Sequence, residues 1–229
     1  MTAFVLLLAA FVVSHIALAT PPLRDGLVAR LGENGFRIGY SLLSLALLVL
    51  AVRAYTPLAP QTLWVAPTGL WHLATLVMLV ASILFAGSLT PANKALAGVP
   101  VDDRPPSGVL AITRHPMMWA FGLWAAVHAT LSGSLPTVIL AVGIGALALV
   151  GAAFQDGKKR RQLGAKWAAY EARTSYWPFG AQLAGRQPWR TAWPGLLPVL
   201  AGMGLWLLLT WLHPALMKAP VVPPWGFSP

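Results

Sequence analysis

The stretch Ala111–Ala129, AITRHPMMWAFGLWAAVHA, indicates a membrane-spanning helix, because its arginine and its proline both occur near its beginning and the rest is mostly apolar. Arg114, His115 and Pro116 come first, and the mostly apolar run Met117–Leu131 follows. A membrane-spanning helix needs about 20 mostly apolar residues, and proline is tolerated in the first helical turn because its missing N–H would be unpaired there anyway. The stretch therefore predicts a spanning helix with a basic residue at its mouth.

Five further apolar runs predict spanning helices of the same kind. They are Ala3–Ala19, Ile38–Tyr55, Leu70–Leu89, Pro136–Phe154 and Gly195–His213. Of the 229 residues, 57% are hydrophobic and only 10% are charged, whereas soluble domains carry roughly 25% charged residues. We therefore predict an all-α fold, a polytopic bundle of about six transmembrane helices that forms one domain over residues 1–229.

The basic residues predict how these helices are oriented. Of the 16 Lys and Arg, 14 lie in the first, third and fifth connections, and the even connections are nearly uncharged. Basic loops stay in the cytoplasm, so both termini are expected to be extracytoplasmic. Residues 17–19 read ALA, like a signal-peptidase site, but the arginines follow the apolar run instead of preceding it, which favours a retained helix.

A basic segment, DGKKRRQLGAKWAAYEARTSY (Asp156–Tyr176), differs from the rest of the chain. Leu163, Trp167 and Tyr170 recur at the spacing of one helical face, and the opposite face is basic. This pattern is typical of an interfacial helix on anionic headgroups. The segment is expected to anchor the protein or to cover the opening of a site.

Histidine is the candidate metal ligand, because the chain has no cysteine. His15 and His115 lie at the cytoplasmic ends of predicted helices, and His72, His128 and His213 lie toward the outer side. Imidazoles from facing helices commonly hold haem iron in a bundle, although a structural role is the alternative for each residue. Matched depth favours His15 with His115, or His72 with His128.

The chain resembles the NnrU family of bacterial membrane proteins over nearly its whole length. The plastid 15-cis-ζ-carotene isomerases share this domain. The matching pieces are Ser14–His15 with Leu23-Arg24-Asp25, LGENGFR (Leu31–Arg37), ITRHPMM (Ile112–Met118) with His128, Asp156 with the basic run, RTSYWPF (Arg173–Phe179) and GRQ (Gly185–Gln187). The shorter pattern of RHP, helical hairpin and basic segment also resembles isoprenylcysteine carboxyl methyltransferases, which use S-adenosylmethionine.

The resemblance implies a bacterial inner-membrane protein associated with denitrification, needed for active nitrite and nitric oxide reductases. It also implies haem b, with the isomerases' axial ligands falling on His15 and His128. Ala125 stands where those isomerases have a cysteine implicated in redox-linked ligand exchange. The alternatives are a haem-dependent cis-polyene isomerase and an S-adenosylmethionine-dependent methyltransferase.

Cationic residues at the cytoplasmic surface are the further candidates for cofactor binding. Arg24 and Arg114 suit haem propionates, a lipid phosphate or a cofactor carboxylate, and His115 and His72 are alternative ligands. Membrane lipid is the expected partner, the resemblance adds a lipid-soluble small molecule, and nucleic acid is not expected. The chain has no Gly-rich phosphate loop, nucleophile elbow or zinc-helix motif, which disfavours soluble hydrolase chemistry.

Overall fold

The computed structural model describes residues 1–21, 23–96 and 99–217, and the chain is helical through most of them. The helices are α1 (Thr2–Ala19), α2 (Leu23–Tyr55), α3 (Thr68–Ser88), α4 (Val109–Ile112), α5 (Pro116–Ser132), α6 (Leu135–Leu163), α7 (Ala165–Arg173), α8 (Gly180–Leu183) and α9 (Leu196–Met217), with a 3₁₀ turn at Trp189–Ala192. Within those ranges, β pairing is limited to an isolated bridge between Thr62 and Ser134. The all-α prediction is confirmed.

Five of the described helices, α1, α2, α3, α6 and α9, are long and apolar enough to cross a membrane. The predicted span Met117–Leu131 coincides with α5, which has 17 residues and is therefore about 26 Å long at 1.5 Å per residue. It packs between α3 and α6. The chain is thus a membrane helix bundle with α5 as the sixth long helix.

The long helices pack side by side in the order α2, α1, α6, α5, α3, α9. Ala19, Arg24 and Lys158 line one cavity at one end of the bundle, which we call the basic end. At the other end of the bundle, which we call the far end, Tyr55 shares a hydrogen bond with Thr137. The connections that follow α2 and α5 also meet there, and the end of α3 lies against the start of α9. Each long helix therefore runs in the direction opposite to that of the long helix before it in the chain.

Glycines set the register of neighbouring helices, because a missing side chain lets two backbones approach closely. A Cβ at Gly202 of α9 would lie 2.6 Å from the Ile83 Cα of α3, and one at Gly145 of α6 would lie 2.8 Å from the Ala125 Cβ of α5. A Cβ at Gly143 would lie 3.0 Å from a methyl group of Leu8 in α1. These contacts fix which residues stand at the same level in the bundle.

The first basic connection is not the loop that the sequence predicted. Residues 23–37 belong to α2, which is broken only at Gly32, where φ is 70° and ψ is 165°. A positive φ costs glycine little because it has no Cβ. The break turns the chain from a short basic helix into the long span that contains Ile38–Tyr55.

The segment Asp156–Tyr176 is likewise not one continuous interfacial helix. Residues 156–163 continue α6, Gly164 ends that helix with φ at 51°, and α7 then begins at Ala165. The predicted face is divided by this turn, because Leu163 belongs to α6 whereas Trp167 and Tyr170 belong to α7. The short helix α7 follows at the basic end of the bundle.

Candidate functional site

A buried network of charged side chains joins α5 to α6 at the basic end. The Asp156 carboxylate accepts hydrogen bonds from Arg114 Nε at 2.8 Å and from His115 Nε2 at 2.7 Å. Arg114 Nη2 also lies 2.7 Å from the Asp156 carboxylate and 3.4 Å from that of Glu171 in α7. Such buried charges are tolerated because each has a partner.

His115 is oriented by this carboxylate. Asp156 can only accept hydrogen bonds when ionised, so the His115 nitrogen that faces it, Nε2, carries the proton. The other ring nitrogen, Nδ1, is buried and has no hydrogen-bond partner among the described residues. His115 therefore stands at the start of α5 as a partner of Asp156, and only Nδ1 remains for any further role.

The helix α7 covers the network through two aromatic side chains. Trp167 and Tyr170 are fully buried, so both side chains contact the bundle. Lys159 Nζ lies 5.5 Å from the Trp167 ring centre, and Lys94 Nζ lies 5.1 Å from the Tyr170 ring centre, within the range of cation–π attraction. Burial raises the pKa of the Tyr170 phenol to about 12, so the ring is neutral at physiological pH.

Replacing Trp167 with glutamate is expected to release α7 from the bundle, because a buried carboxylate would replace the indole that Lys159 contacts. Limited trypsin digestion of the membrane-embedded protein should then cut the Lys and Arg sites of residues 158–173 much faster than in the native protein. The control is Trp177→Glu, because Trp177 is 65% exposed. Equal protection of Trp167→Glu and the native chain would show that Trp167 does not hold the helix.

A cavity of about 500 Å³ lies beside the network, between α1, α2 and α6. Its basic lining residues are Arg24, Arg37, Lys158 and Lys159, and its acid is Glu33. Arg24 Nη2 donates to both oxygens of the Glu33 carboxylate at 2.7 and 2.8 Å, and Arg37 Nε donates to it at 3.1 Å. Sequence pieces that are far apart in the chain thus converge on one cationic site.

His15 lies close to this cavity, on α1. Its ring centroid is 5.0 Å from that of Tyr40, which lines the cavity, and its Nδ1 is 3.2 Å from Ser44 Oγ. Arg24, another predicted cofactor-binding residue, lines the same cavity. Arg114 instead belongs to the buried network around Asp156.

A second group of histidines lies toward the far end. His128 Nδ1 is 2.8 Å from the backbone oxygen of Trp124, and its ring stacks on the Trp124 ring with centroids 4.3 Å apart. The ring of His213, from α9, lies with its centroid 6.2 Å from that of His128 at an interplanar angle of 39°. Two imidazoles from different helices therefore approach each other near one end of the bundle.

His72 stands at the level of His213. Gly202 of α9 lies against Ile83 of α3, and the two helices run in opposite directions. His213 and His72 are each 11 positions farther toward the far end than these two residues, which is about 16 Å. Helix α3 thus brings a third histidine to the end of the bundle that holds the imidazole pair.

The structure does not bring His15 and His128 together. Helix α6 lies between their helices, α1 and α5. The contacts at Gly143 and Gly145 give reference levels on α1 and α5. Counted from them, His15 lies toward the basic end and His128 toward the far end. At a rise of 1.5 Å per residue, the two histidines are about 12 Å apart along the bundle. Ligation of one iron by this pair stays a prediction, and this register does not support it.

Sequence reasoning missed two partners of the residues that it selected. Asp156 was part of a basic run, yet a lone acid at the end of an apolar helix is a signal, because ionisable groups at such places are rare and usually paired. The sequence places His213 toward the outer side but does not indicate that it meets His128. Neither pairing follows from local sequence, since each joins two helices.

Comparisons with known proteins agree on one family. A family model described as "NnrU protein" matches residues 3–221. The chain is 27% identical over 195 residues to the chloroplastic 15-cis-zeta-carotene isomerase of Arabidopsis thaliana, which covers 81% of this chain and 51% of that protein. It is 26% identical over 187 residues to the isomerase of the same name from Zea mays, which covers 77% of this chain and 49% of that protein.

The chain thus spans about half the length of the curated relatives that it matches. No solved structure matched it. The similarity to the isomerases therefore concerns a shared helical region and not the whole of either relative.

Proposed function

The chain belongs to the NnrU family, and we propose that it is a membrane protein that binds haem b between His128 and His213. The role proposed for it is the one that the family resemblance implies, the production of active nitrite and nitric oxide reductases. A bound haem b supplies one-electron redox chemistry and a Lewis-acidic iron.

The distance between the two imidazole rings is the observation that carries this proposal. An imidazole nitrogen binds a transition metal at about 2 Å, so two rings on opposite sides of one ion have centroids roughly 6 Å apart. The His128 and His213 centroids are 6.2 Å apart. Bundles commonly hold metals and cofactors through side chains of facing helices.

The hydrogen bond of His128 is also the one that a metal ligand requires. Its Nδ1–H donates to the Trp124 carbonyl oxygen, which fixes the neutral tautomer and leaves Nε2 as the basic nitrogen. Stacking on the Trp124 ring restricts rotation of the imidazole. His72 is the alternative ligand, because it stands at the level of His213.

The purified full chain tests the haem proposal. We expect a Soret band, sharpened α and β bands after reduction with dithionite, and about one haem b per chain by pyridine haemochromogen assay. Expression with added haem precursor controls for a limiting supply. A protein that folds into a monodisperse helical species and binds no haem would rule the proposal out.

The curated relatives favour a second candidate function, isomerisation of a cis double bond in a lipid-soluble polyene. Their printed name is 15-cis-zeta-carotene isomerase. Ala125, which stands where those enzymes have a cysteine by resemblance, is buried and lies against Gly145, so no thiol acts at this position. Catalysis here would need a different control of iron ligation.

Two assays separate these roles. The reduced protein is incubated with 15-cis-ζ-carotene in mixed micelles, and the isomers are resolved by chromatography. In parallel, deletion of the coding sequence from a denitrifying host is followed by nitrite and nitric oxide reductase activities. Turnover with normal reductases identifies an isomerase, whereas loss of both reductases without turnover identifies the denitrification role.

The orientation proposed for the bundle places the basic end in the cytoplasm. The basic residues Arg24, Arg37 and Lys158 share one cavity there, and basic residues are retained on the cytoplasmic side. Alkaline phosphatase fused after Pro229 should therefore be active, and green fluorescent protein at the same point should be dark. The reverse result would show that the helix count or the orientation is wrong.

A further inference from the structure

The cavity between α1, α2 and α6 carries more positive charge than its own acid can neutralise. Among the described residues, four basic side chains, those of Arg24, Arg37, Lys158 and Lys159, and one acid, Glu33, line it. A neighbouring cavity of about 230 Å³ shares Arg24 and Lys158 as lining residues. Its lining adds the basic Arg161 and the acidic Asp25. The two cavities therefore form one recess near the C-terminal end of α1, in which basic side chains outnumber acidic ones.

Lys158 shows the excess of positive charge in the recess most directly. Glu33 engages Arg24 and Arg37, and Lys159 Nζ donates to the backbone oxygens of Lys94 and Leu96 at 2.8 and 3.2 Å. Lys158 is partly buried and lines both cavities. Within residues 1–21, 23–96 and 99–217, no hydrogen bond or ion pair engages its ammonium group.

Aromatic side chains also line the recess, on the same helix as its two arginines. Phe36 and Tyr40 line it, their rings stack with centroids 5.8 Å apart, and the Arg24 guanidinium lies 5.4 Å from the Phe36 ring centre. A ligand in this recess therefore meets both cations and apolar rings. That combination fits the phosphate head and first carbons of an amphiphile.

We infer that this recess binds a phosphate group, and that the ligand is an anionic phospholipid of the surrounding membrane. Arginine matches phosphate oxygens with paired N–H donors, and lysine adds a point charge. Glu33 holds the two guanidinium groups on one wall, and the Lys158 ammonium faces the same volume. The site lies at the level where helix α1 ends, which is where headgroups lie in a bilayer.

Native mass spectrometry of the full chain in detergent tests the inference with phosphatidic acid, diacylglycerol and inorganic phosphate as separate probes. We expect retention of phosphatidic acid and none of diacylglycerol, which differs by the phosphate. Lys158→Gln should lower phosphatidic acid retention about tenfold, as expected for loss of one charged hydrogen bond. Lys158→Arg should restore it, which also shows that the position tolerates substitution.

Lys166→Gln is the matched control. Lys166 is exposed on α7, so this substitution removes the same charge outside the recess. Equal losses in Lys158→Gln and Lys166→Gln would overturn the inference in favour of general attraction to the basic end. Binding of inorganic phosphate alone, lost in Lys158→Gln, would overturn the lipid source and keep the phosphate site. Loss of haem from Lys158→Gln with unchanged lipid retention would overturn the inference and assign the recess to haem propionates.

Discussion

Replacing either His128 or His213 with alanine is expected to abolish the low-spin haem spectrum of the purified protein. Each change removes one of the two imidazoles whose centroids lie 6.2 Å apart. With one of the two imidazoles gone, a bound haem would become high-spin or leave the protein, so haem per chain should fall several-fold. The measurement is the Soret position and the haemochromogen yield, normalised to protein.

His15→Ala is the decisive comparison for this result. His15 is a histidine of the same bundle, but its contacts are with Tyr40 and Ser44, and the register places it about 12 Å from the level of His128. It should therefore keep the native spectrum. If His15→Ala and His128→Ala lose the haem and His213→Ala keeps it, the ligand pair implied by family resemblance is correct.

Addition of imidazole provides a second readout for the same site. The cavity that His128→Ala or His213→Ala leaves is expected to admit free imidazole, which would restore the low-spin bands of the haem that remains. Such rescue separates ligand loss from a general failure of folding. Variants that stay helical and monodisperse, yet show no rescue and no haem loss, would contradict the assignment.

Replacing Asp156 with asparagine is expected to destabilise the bundle by about 3–5 kcal/mol, the usual cost of leaving a buried charge without its partner. Arg114 has a side chain only 9% exposed and would lose its closest carboxylate. Asparagine keeps only one acceptor oxygen, so the amide cannot accept from both Arg114 and His115 as the carboxylate does. The expected readout is a lower midpoint of thermal unfolding in detergent and faster trypsin cleavage.

Asp25→Asn serves as the control for Asp156→Asn, because it makes the same chemical change at a side chain that is 64% exposed. Its ion pair with Arg24 spans 3.6 Å, and exposed pairs contribute about 0–1 kcal/mol. A double variant, Arg114→Met with Asp156→Leu, should recover part of the loss, since removing both charges avoids the unpaired one. Equal effects of the two Asp→Asn changes would show that the buried network contributes little.

The helices and the class of protein follow from the amino-acid sequence. In a bilayer each backbone N–H and C=O must pair within its own segment, so an apolar run of sufficient length forms a helix whatever surrounds it. This is why the predicted span Met117–Leu131 agrees to within one residue at each end with α5, Pro116–Ser132. The basic residues at the helix ends can also be identified from the sequence, because each lies next to its apolar run.

Tertiary structure alone decided how those helices are arranged and which side chains meet. Asp156 pairs with Arg114 and His115 across 42 and 41 positions of sequence, and His213 approaches His128 from the last helix. Such contacts depend on the rotation and depth of each helix, which close approaches at residues such as Gly145 and Gly202 set. Hydropathy is nearly the same around each of the six long helices, so it indicates that a segment spans the membrane but not which face meets a neighbour.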